Sequence, residues 1–238
     1  MADRLRSYGW GTVTQIDNDT KVGGGWNDSL LNDATYSAVL RDAKAGVYDA
    51  IMVAFPCSTF SVTRLFEVEH DGHNLGSGPP VVRDHDHPDG LPLDQIDAKY
   101  HRELRETNIL LDRMADICIA ARQSVRKATI VWENPADKSV RGRPAHDEAL
   151  ASHGSFFSTS AFSRILTAIG PLRDATFAYC RLAPPPAYQK YTSLYYTPEA
   201  ASVLDLGIGD GGERAHGGEA SHGLTEELGM SRGCDATS

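Results

Sequence analysis

The chain predicts an α/β fold built on a doubly wound, mostly parallel sheet. Two short runs, 49–55 (DAIMVAF) and 129–132 (TIVW), are apolar without alternation, which suits parallel strands covered on both faces. Segments with apolar residues at helical spacing lie between such runs, and this alternation indicates a sheet whose ligands sit at the C-terminal strand ends. The length, 238 residues, accommodates one well-buried domain and is short for two.

Residues 11–17 (GTVTQID) are rich in β-branched side chains and end on Asp17, the pattern of a parallel strand carrying a carboxylate at its C-terminal edge. Gly23-Gly24-Gly25 marks a loop. Tyr36, Val39, Leu40 and Ala43 predict a helix over 34–46 capped by Gly46, and the strand at 49–55 then runs into Pro56-Cys57. Residues 67–94, rich in Gly, Pro, Asp and His, are too long and unpatterned for a simple connection and predict an active-site lid or insertion. Tyr100, Leu104, Leu111, Met114, Ile117, Cys118 and Ala121 form the stripe of a long amphipathic helix over 97–127. The strand at 129–132 leads into Glu133-Asn134-Pro135. Phe162, Ile165, Leu166 and Ile169 share one face of a helix over 160–169 that Gly170-Pro171 stops. Strands at 175–182 and 192–197 flank Pro184-Pro185-Pro186. Gly, His, Glu and Ser dominate from 201 onward. The expected organisation is one domain over 1–200 with an insertion at 67–94, followed by a loosely ordered Gly/His-rich segment over 201–238.

With 23 basic and 32 acidic residues the net charge is -9, which argues against indiscriminate binding to nucleic-acid phosphates. Any DNA contact requires a local basic patch. Arg122, Arg126, Lys127, Lys138, Arg141 and Arg143 are one candidate, with a solvated face as the alternative. The cysteines, Cys57, Cys118, Cys180 and Cys234, form no C-x-x-C pair, so neither a zinc ribbon nor a disulfide framework is suggested, and a reducing, intracellular setting fits. No apolar stretch approaches the roughly 20 residues needed to span a bilayer, and the first residues lack a signal-peptide core, so a soluble protein is expected. His70, His73, His85 and His87 with Asp71, Asp84 and Asp86, or His216 and His222 with Cys234, match no established metal-ligand spacing and fit a polar loop better.

Two strand ends carry chemistry. In Phe55-Pro56-Cys57-Ser58-Thr59-Phe60-Ser61 a cysteine follows a proline directly after a buried strand, which presents a thiol in a cleft; the reactive species is a thiolate, and Arg64 is the nearby positive charge in sequence. A buried structural cysteine is the alternative. In Glu133-Asn134-Pro135 a carboxyl ends an apolar strand, where partial desolvation favours a protonated form able to donate to a ring nitrogen; a helix N-terminal carboxylate is the alternative.

Taken together, Pro56-Cys57 with Phe60-Ser61 and Glu133-Asn134 resemble the Pro-Cys and Glu-Asn motifs of the cytosine-5 DNA methyltransferases. The resemblance covers residues 8–197 and is nearest to small, divergent phage- or retroelement-like members. It implies a class I S-adenosylmethionine methyltransferase (Rossmann-like) fold. It further implies that Cys57 attacks C6 of a cytosine flipped out of DNA, that Glu133 contacts N3 and the exocyclic amine, and that C5 takes the methyl of S-adenosyl-L-methionine. Asp17 is similar to the acidic residue that holds the cofactor ribose and Asp33 to the aspartate near the adenine, with Pro56 also on the cofactor side. Ser61, Arg64, Asn134, Gln189 and Lys190 fall on the substrate side. Tyr188-Gln189-Lys190-Tyr191-Thr192 stands where the family has Gln-x-Arg-x-Arg, and here the arginines are missing.

Two further departures shape the expectation. The family's opening strand and Phe-x-Gly-x-Gly loop have no counterpart upstream of Arg6, so the chain reads as starting one strand late; residues 203–211 (VLDLGIGDG) are the one segment resembling that strand and turn, as in a circular permutation. No target-recognition domain of the usual size follows Gln189. Two other functions stay open: a related enzyme acting on a free pyrimidine nucleotide, and a catalytically incomplete remnant that binds nucleic acid or a partner.

Overall fold

The computed structural model describes residues 6, 7, 9, 11–54, 57–65, 67–70, 73–178, 191–202 and 204. Among them the chain runs through α1 (Asp33–Lys44), β1 (Ala50–Ala54), β2 (Glu67–His70), β3 (His73–Ser77), α2 (Ala98–Gln123), β4 (Thr129–Pro135), α3 (Ser160–Ile169), β5 (Arg173–Ala178) and β6 (Tyr191–Tyr196). Four strands form one sheet in the order β1-β4-β6-β5, and β2 and β3 form a separate antiparallel hairpin.

Each helix starts on a side chain that satisfies a free backbone N–H. Asn32 accepts from Ala34 N at α1, Asp97 from Lys99 N at α2 and Thr159 from Phe162 N at α3. The α2 helix, 26 residues and about 39 Å long, buries Leu104, Thr107, Leu111, Met114, Cys118 and Ala121 at spacings of three and four. Gly170, at φ +86°, ends α3 in a conformation that other residues resist.

The strand β4 sorts its side chains by alternation: Ile130, Trp132 and Asn134 are buried on one face, and Val131, Glu133 and Pro135 lie on the other. The first face meets the helices. Ile130, Trp132, Phe162, Ile165, Phe156, Leu111 and Ala43 belong to one core, with Ile51 and Val53 of β1 packed against it. The indole of Trp132 stands edge-on to Phe162, centroids 6.0 Å apart, and its Nε1 donates to Met114 Sδ at 3.3 Å. On the second face Val131, Ala175 and Leu194 pack beneath Tyr196, Ala200 and Ala201, whereas Met52 of β1 is 55% exposed.

The fold is therefore mixed α/β, and it corrects the expected sheet. One strand pair, β1 with β4, is parallel; β6 runs antiparallel between β4 and β5. Helices α1, α2 and α3 share a single core on one face, and the helical turns at Pro198–Ala200 and at 201, 202 and 204 lie against the other. The expected strand at 11–17 is also absent. Asp17 Oδ1 accepts from Asp19 N at 2.9 Å, and Gly25 N donates to Asp17 O at 3.0 Å, so the segment folds back on the glycine loop. A Cβ on Gly24 would stand 1.9 Å from Asp17 O, which explains a glycine there. β-Branched residues favour a strand only where a neighbour offers a ladder, and residues 11–17 have none.

The remaining boundaries moved less. The strand expected at 129–132 continues through Pro135 because β6 pairs with all of it, Pro135 opposite Thr192. The stretch 67–94 contains the β2–β3 hairpin and then a buried anchor, Val82 and Arg83, with Val82 packed on Ile96 and Leu104. The Gly-rich string at 203–211, apart from Leu204, lies outside the described residues, as does most of the segment over 201–238. No helix among the described residues is long and apolar enough to cross a membrane.

Helix α3 offers a direct check on this packing. Phe162→Ala removes a fully buried ring from the core and should cost about 3 to 5 kcal/mol of stability, while Leu166→Ala, one turn on and partly exposed, should cost about 1 kcal/mol or less. Urea denaturation of both variants measures the difference, and equal losses would contradict the assigned face.

Candidate active site

Parallel pairing brings two strand ends together on the same edge of the sheet. Ala54, the last residue of β1, stands opposite Glu133 of β4, so the turn that follows β1 emerges beside the Glu133-Asn134-Pro135 end of β4. Cys57 opens that turn: it is half-buried, and its carbonyl accepts from Phe60 N at 3.0 Å to close one tight 3-10 turn over Ser58–Phe60. Thr59 and Phe60 point inward and are buried. Glu133 is half-buried on the face opposite Trp132, directly across from Leu194 of β6, and no cation pairs with its carboxyl among the described residues. A half-buried cysteine three residues past β1 and a carboxyl near the C-terminal end of β4 thus lie toward the same edge of the sheet, the edge where ligands bind in open α/β sheets.

Asn134 next to it is fully buried, and neither Nδ2 nor Oδ1 finds a partner; Thr192 Oγ1, buried on the neighbouring strand, is likewise unpartnered. The Asn134 amide lies on the core side of β4, one residue beyond Glu133, with hydrogen-bonding capacity that its neighbours do not fill.

Arg64 is also spoken for. Its Nε donates to Ser58 O at 2.6 Å, Nη1 to Pro80 O at 2.8 Å and Nη2 to Glu103 Oε1 at 2.6 Å, with the side chain only 6% exposed. It serves as a brace for the turn, with its charge paired to Glu103, in place of a free substrate cation. Ser61 Oγ shares a 2.8 Å hydrogen bond with Thr63 Oγ1. Asp33 sits in the first turn of α1 bound to Arg113, which also donates to Leu30 O at 2.7 Å and lies over the Tyr36 ring. Asp17 has one oxygen engaged in its own turn. Pro56, Gln189 and Lys190 lie outside the described residues.

The proposed basic run is largely neutralised. Arg122 pairs with Glu199, Arg126 with Asp49, Arg141 with Glu148 and Arg143 with Asp174, and burial pushes the Lys138 amine below its ordinary range. Among the described residues no group of histidines, cysteines and carboxylates is arranged to hold a metal ion.

Comparison with protein-family models, with curated proteins and with solved structures finds no match for this chain. Its chemistry is accordingly read from its own residues.

Three residues around the Cys57 turn carried no signal strong enough to single them out in the sequence: Thr59, Arg83 and His153. His153 is buried, its Nε2 is 2.9 Å from Phe60 O and its Nδ1 is 3.4 Å from Lys138 N. A carbonyl accepts and an amide donates, so the ring is neutral with its proton on Nε2. Phe60 is 93 positions away, which hides the pair from any local pattern. Burial pushes the His153 imidazole below its ordinary value of 6.5, and the Phe60 carbonyl opposes that shift. Below that value the unfolded chain binds a proton that the folded protein resists, so stability should fall as pH falls through this range. His153→Gln retains a donor without a titrating ring. Thermal melting from about pH 7.5 to about pH 5 should show a smaller drop for the variant than for the parent, and parallel curves would remove His153 as the cause.

Proposed function

We propose that this protein transfers a methyl group from S-adenosyl-L-methionine to C5 of cytosine in DNA, with Cys57 as nucleophile and Glu133 as acid. The observation that supports the proposal is the parallel register of β1 and β4, in which Ala54, three residues before Cys57, stands opposite Glu133, whose carboxyl has no ion-pair partner among the described residues. On this reading the four-stranded sheet is the motif-bearing part of a Rossmann-like, doubly wound class I methyltransferase.

The chemistry needs both groups. Cys57 Sγ forms a bond to C6 of the base, the electron pair moves toward C5, and a protonated Glu133 donating to N3 stabilises the electron-rich ring. S-adenosyl-L-methionine supplies the methyl group that C5 takes up. Loss of the C5 proton and departure of Cys57 then restore the aromatic ring. A base inside a duplex offers C6 to no side chain, so the cytosine must first be flipped out or come from a single strand. Asp17 retains one carboxylate oxygen beyond its own turn, and Asp33 one beyond Arg113, so each can still accept from a ribose or adenine. A second reading, a free pyrimidine nucleotide as substrate, is favoured by the ion-paired arginines, which leave little uncompensated positive surface among the described residues for a DNA backbone.

Fluorine at C5 blocks the elimination step, so DNA containing 5-fluorocytosine should trap the protein covalently, and Cys57→Ser should abolish the trapped species on a denaturing gel. Trapping by the serine variant at the parent level would remove Cys57 from the mechanism. Glu133→Gln keeps the shape of the side chain and loses its acid, and should slow methyl transfer by about 10² to 10⁴ with the fold intact. Transfer of labelled methyl to DNA and to free cytidine nucleotides, measured side by side, separates the two substrates.

A further inference from the structure

We infer that Arg83 is a positioning residue for Cys57, acting through Thr59 as the centre of a three-point clamp completed by Arg64 and His153. The inference rests on the reading of Cys57 as the reacting residue. The clamp grips three consecutive residues of the turn that Cys57 opens. Arg64 Nε donates to Ser58 O at 2.6 Å, Arg83 Nε to Thr59 Oγ1 at 3.1 Å and His153 Nε2 to Phe60 O at 2.9 Å. The donors at positions 59 and 60 come from segments far along the chain. Any change in the backbone angles of the turn would strain all three bonds together.

Arg83 is the unusual member. It is 3% exposed in a protein whose other arginines are mostly at the surface, and among the described residues no carboxylate pairs with it. Its remaining N–H groups go to neutral acceptors, Nη1 to Pro88 O at 2.7 Å and Nη2 to Asn108 Oδ1 at 2.7 Å, and its guanidinium lies 4.4 Å over the Phe60 ring. Burial lowers its pKa to about 10, so it remains a cation at neutral pH. Asp89 and Glu103 favour its charge from nearby while Arg64 opposes it, but neither carboxylate bonds to it; burying a cation on these terms is costly, and an apolar residue would fill the space more cheaply. What an apolar residue cannot do is hold the Thr59 hydroxyl and the Phe60 ring in one orientation.

The clamp is anchored to the rigid part of the fold. Asn108 lies on α2 and donates to Asp89 O at 2.8 Å, while the Asp89 carboxylate accepts from Ser160 N at 3.0 Å, at the start of α3. His153 is brought to Arg83 by a backbone bridge to Asp84, and Gly154 permits the approach, since a Cβ there would stand 2.9 Å from Asp84 O. The turn therefore takes its position from two helices, and the space between turn and clamp is a cavity of only about 10 Å³, room for about one water.

The test uses the full chain and compares Thr59→Val, which removes the acceptor for Arg83, with Thr59→Ser, which retains it, and with Arg83→Lys. The first readout is the rate of covalent trapping on mixed-sequence oligonucleotides carrying 5-fluorocytosine, with S-adenosyl-L-methionine present. At saturating DNA, Thr59→Val and Arg83→Lys should trap ~10- to 100-fold more slowly than the parent, with half-saturating DNA unchanged, with a melting temperature lowered by the lost bonds of buried Arg83 yet above the assay temperature, and with Thr59→Ser restoring the rate. Trapping by Thr59→Val at the parent rate, or Thr59→Ser as slow as Thr59→Val, overturns the clamp while leaving the nucleophile in place. If the parent traps nothing, the methyltransferase reading falls, and the clamp is decided by a second readout that needs no substrate. Alkylation of Cys57 by iodoacetamide, followed by peptide mass spectrometry with the fully buried Cys118 as internal reference, should be several-fold faster in Thr59→Val than in the parent and Thr59→Ser, because the freed turn exposes the thiol. Equal alkylation rates overturn the clamp.

Discussion

The parallel ladder between β1 and β4 is the constraint on which the rest of the molecule hangs. Thr129 N donates to Asp49 O at 2.9 Å, and from there the strands stay in register to Ala54 opposite Glu133. Parallel neighbours need a long return path, and here that path holds the Cys57 turn, the β2–β3 hairpin, the buried Val82-Arg83 anchor and the whole of α2. The helix lies against the face from which Ile130 and Trp132 project, and it carries Met114, which both Trp132 and Cys118 touch. On the other side of β4 lie β6 and then β5, and Thr197 just beyond β6 locks back onto Ile130 through its backbone N–H and its hydroxyl. Slipping the β1–β4 register by one residue would turn Trp132 out of the core and Glu133 into it.

Electrostatics follow from the same architecture. In an acidic chain the arginines are drawn to carboxylates on neighbouring elements: Arg113 of α2 to Asp33 of α1, Arg122 to Glu199 beyond β6, Arg143 to Asp174 of β5. Exposed pairs of this sort each contribute little to stability, about 0 to 1 kcal/mol, but they determine which charges remain available to a ligand. Around the Cys57 turn the arrangement is different. There Arg83 bonds to neutral acceptors, with Asp89 and Glu103 near but not paired to it, so a fixed positive charge lies under the turn while the surface run from Arg122 to Arg143 is mostly quenched.

Local physics made several elements legible. The helices at Asp33–Lys44, Ala98–Gln123 and Ser160–Ile169 follow from apolar spacing, with Gly170-Pro171 as the stop of the last, because a helix satisfies its backbone internally and its signals are all nearby. The apolar runs at β1 and β4 were legible for a similar reason, although β4 runs two residues past Glu133 and β1 ends three residues before Cys57. The segment at 11–17 shows the limit. Its Thr and Val residues suit a strand, but a strand is made by its neighbour, and what this segment meets is the Gly24-Gly25 backbone. The polar appearance of 67–94 likewise concealed Arg83, whose burial depends on Asn108 and Thr59.

By itself, then, the sequence determined the α/β class, the helices, and the two residue types, thiol and carboxyl, that come just after apolar runs, since each depends on side chains within a few positions of one another. Tertiary structure alone decided the direction of each strand beside its neighbour, the gathering of α1, α2 and α3 on one face, and the partner of each charge. Those depend on partners far apart in the chain: Phe60 with His153, Glu103 with Arg64, Trp132 with Phe162. No spacing rule encodes such pairs, because a hydrogen bond or a buried contact is fixed by distance in space, and the chain reaches that distance only once its strands have chosen their order.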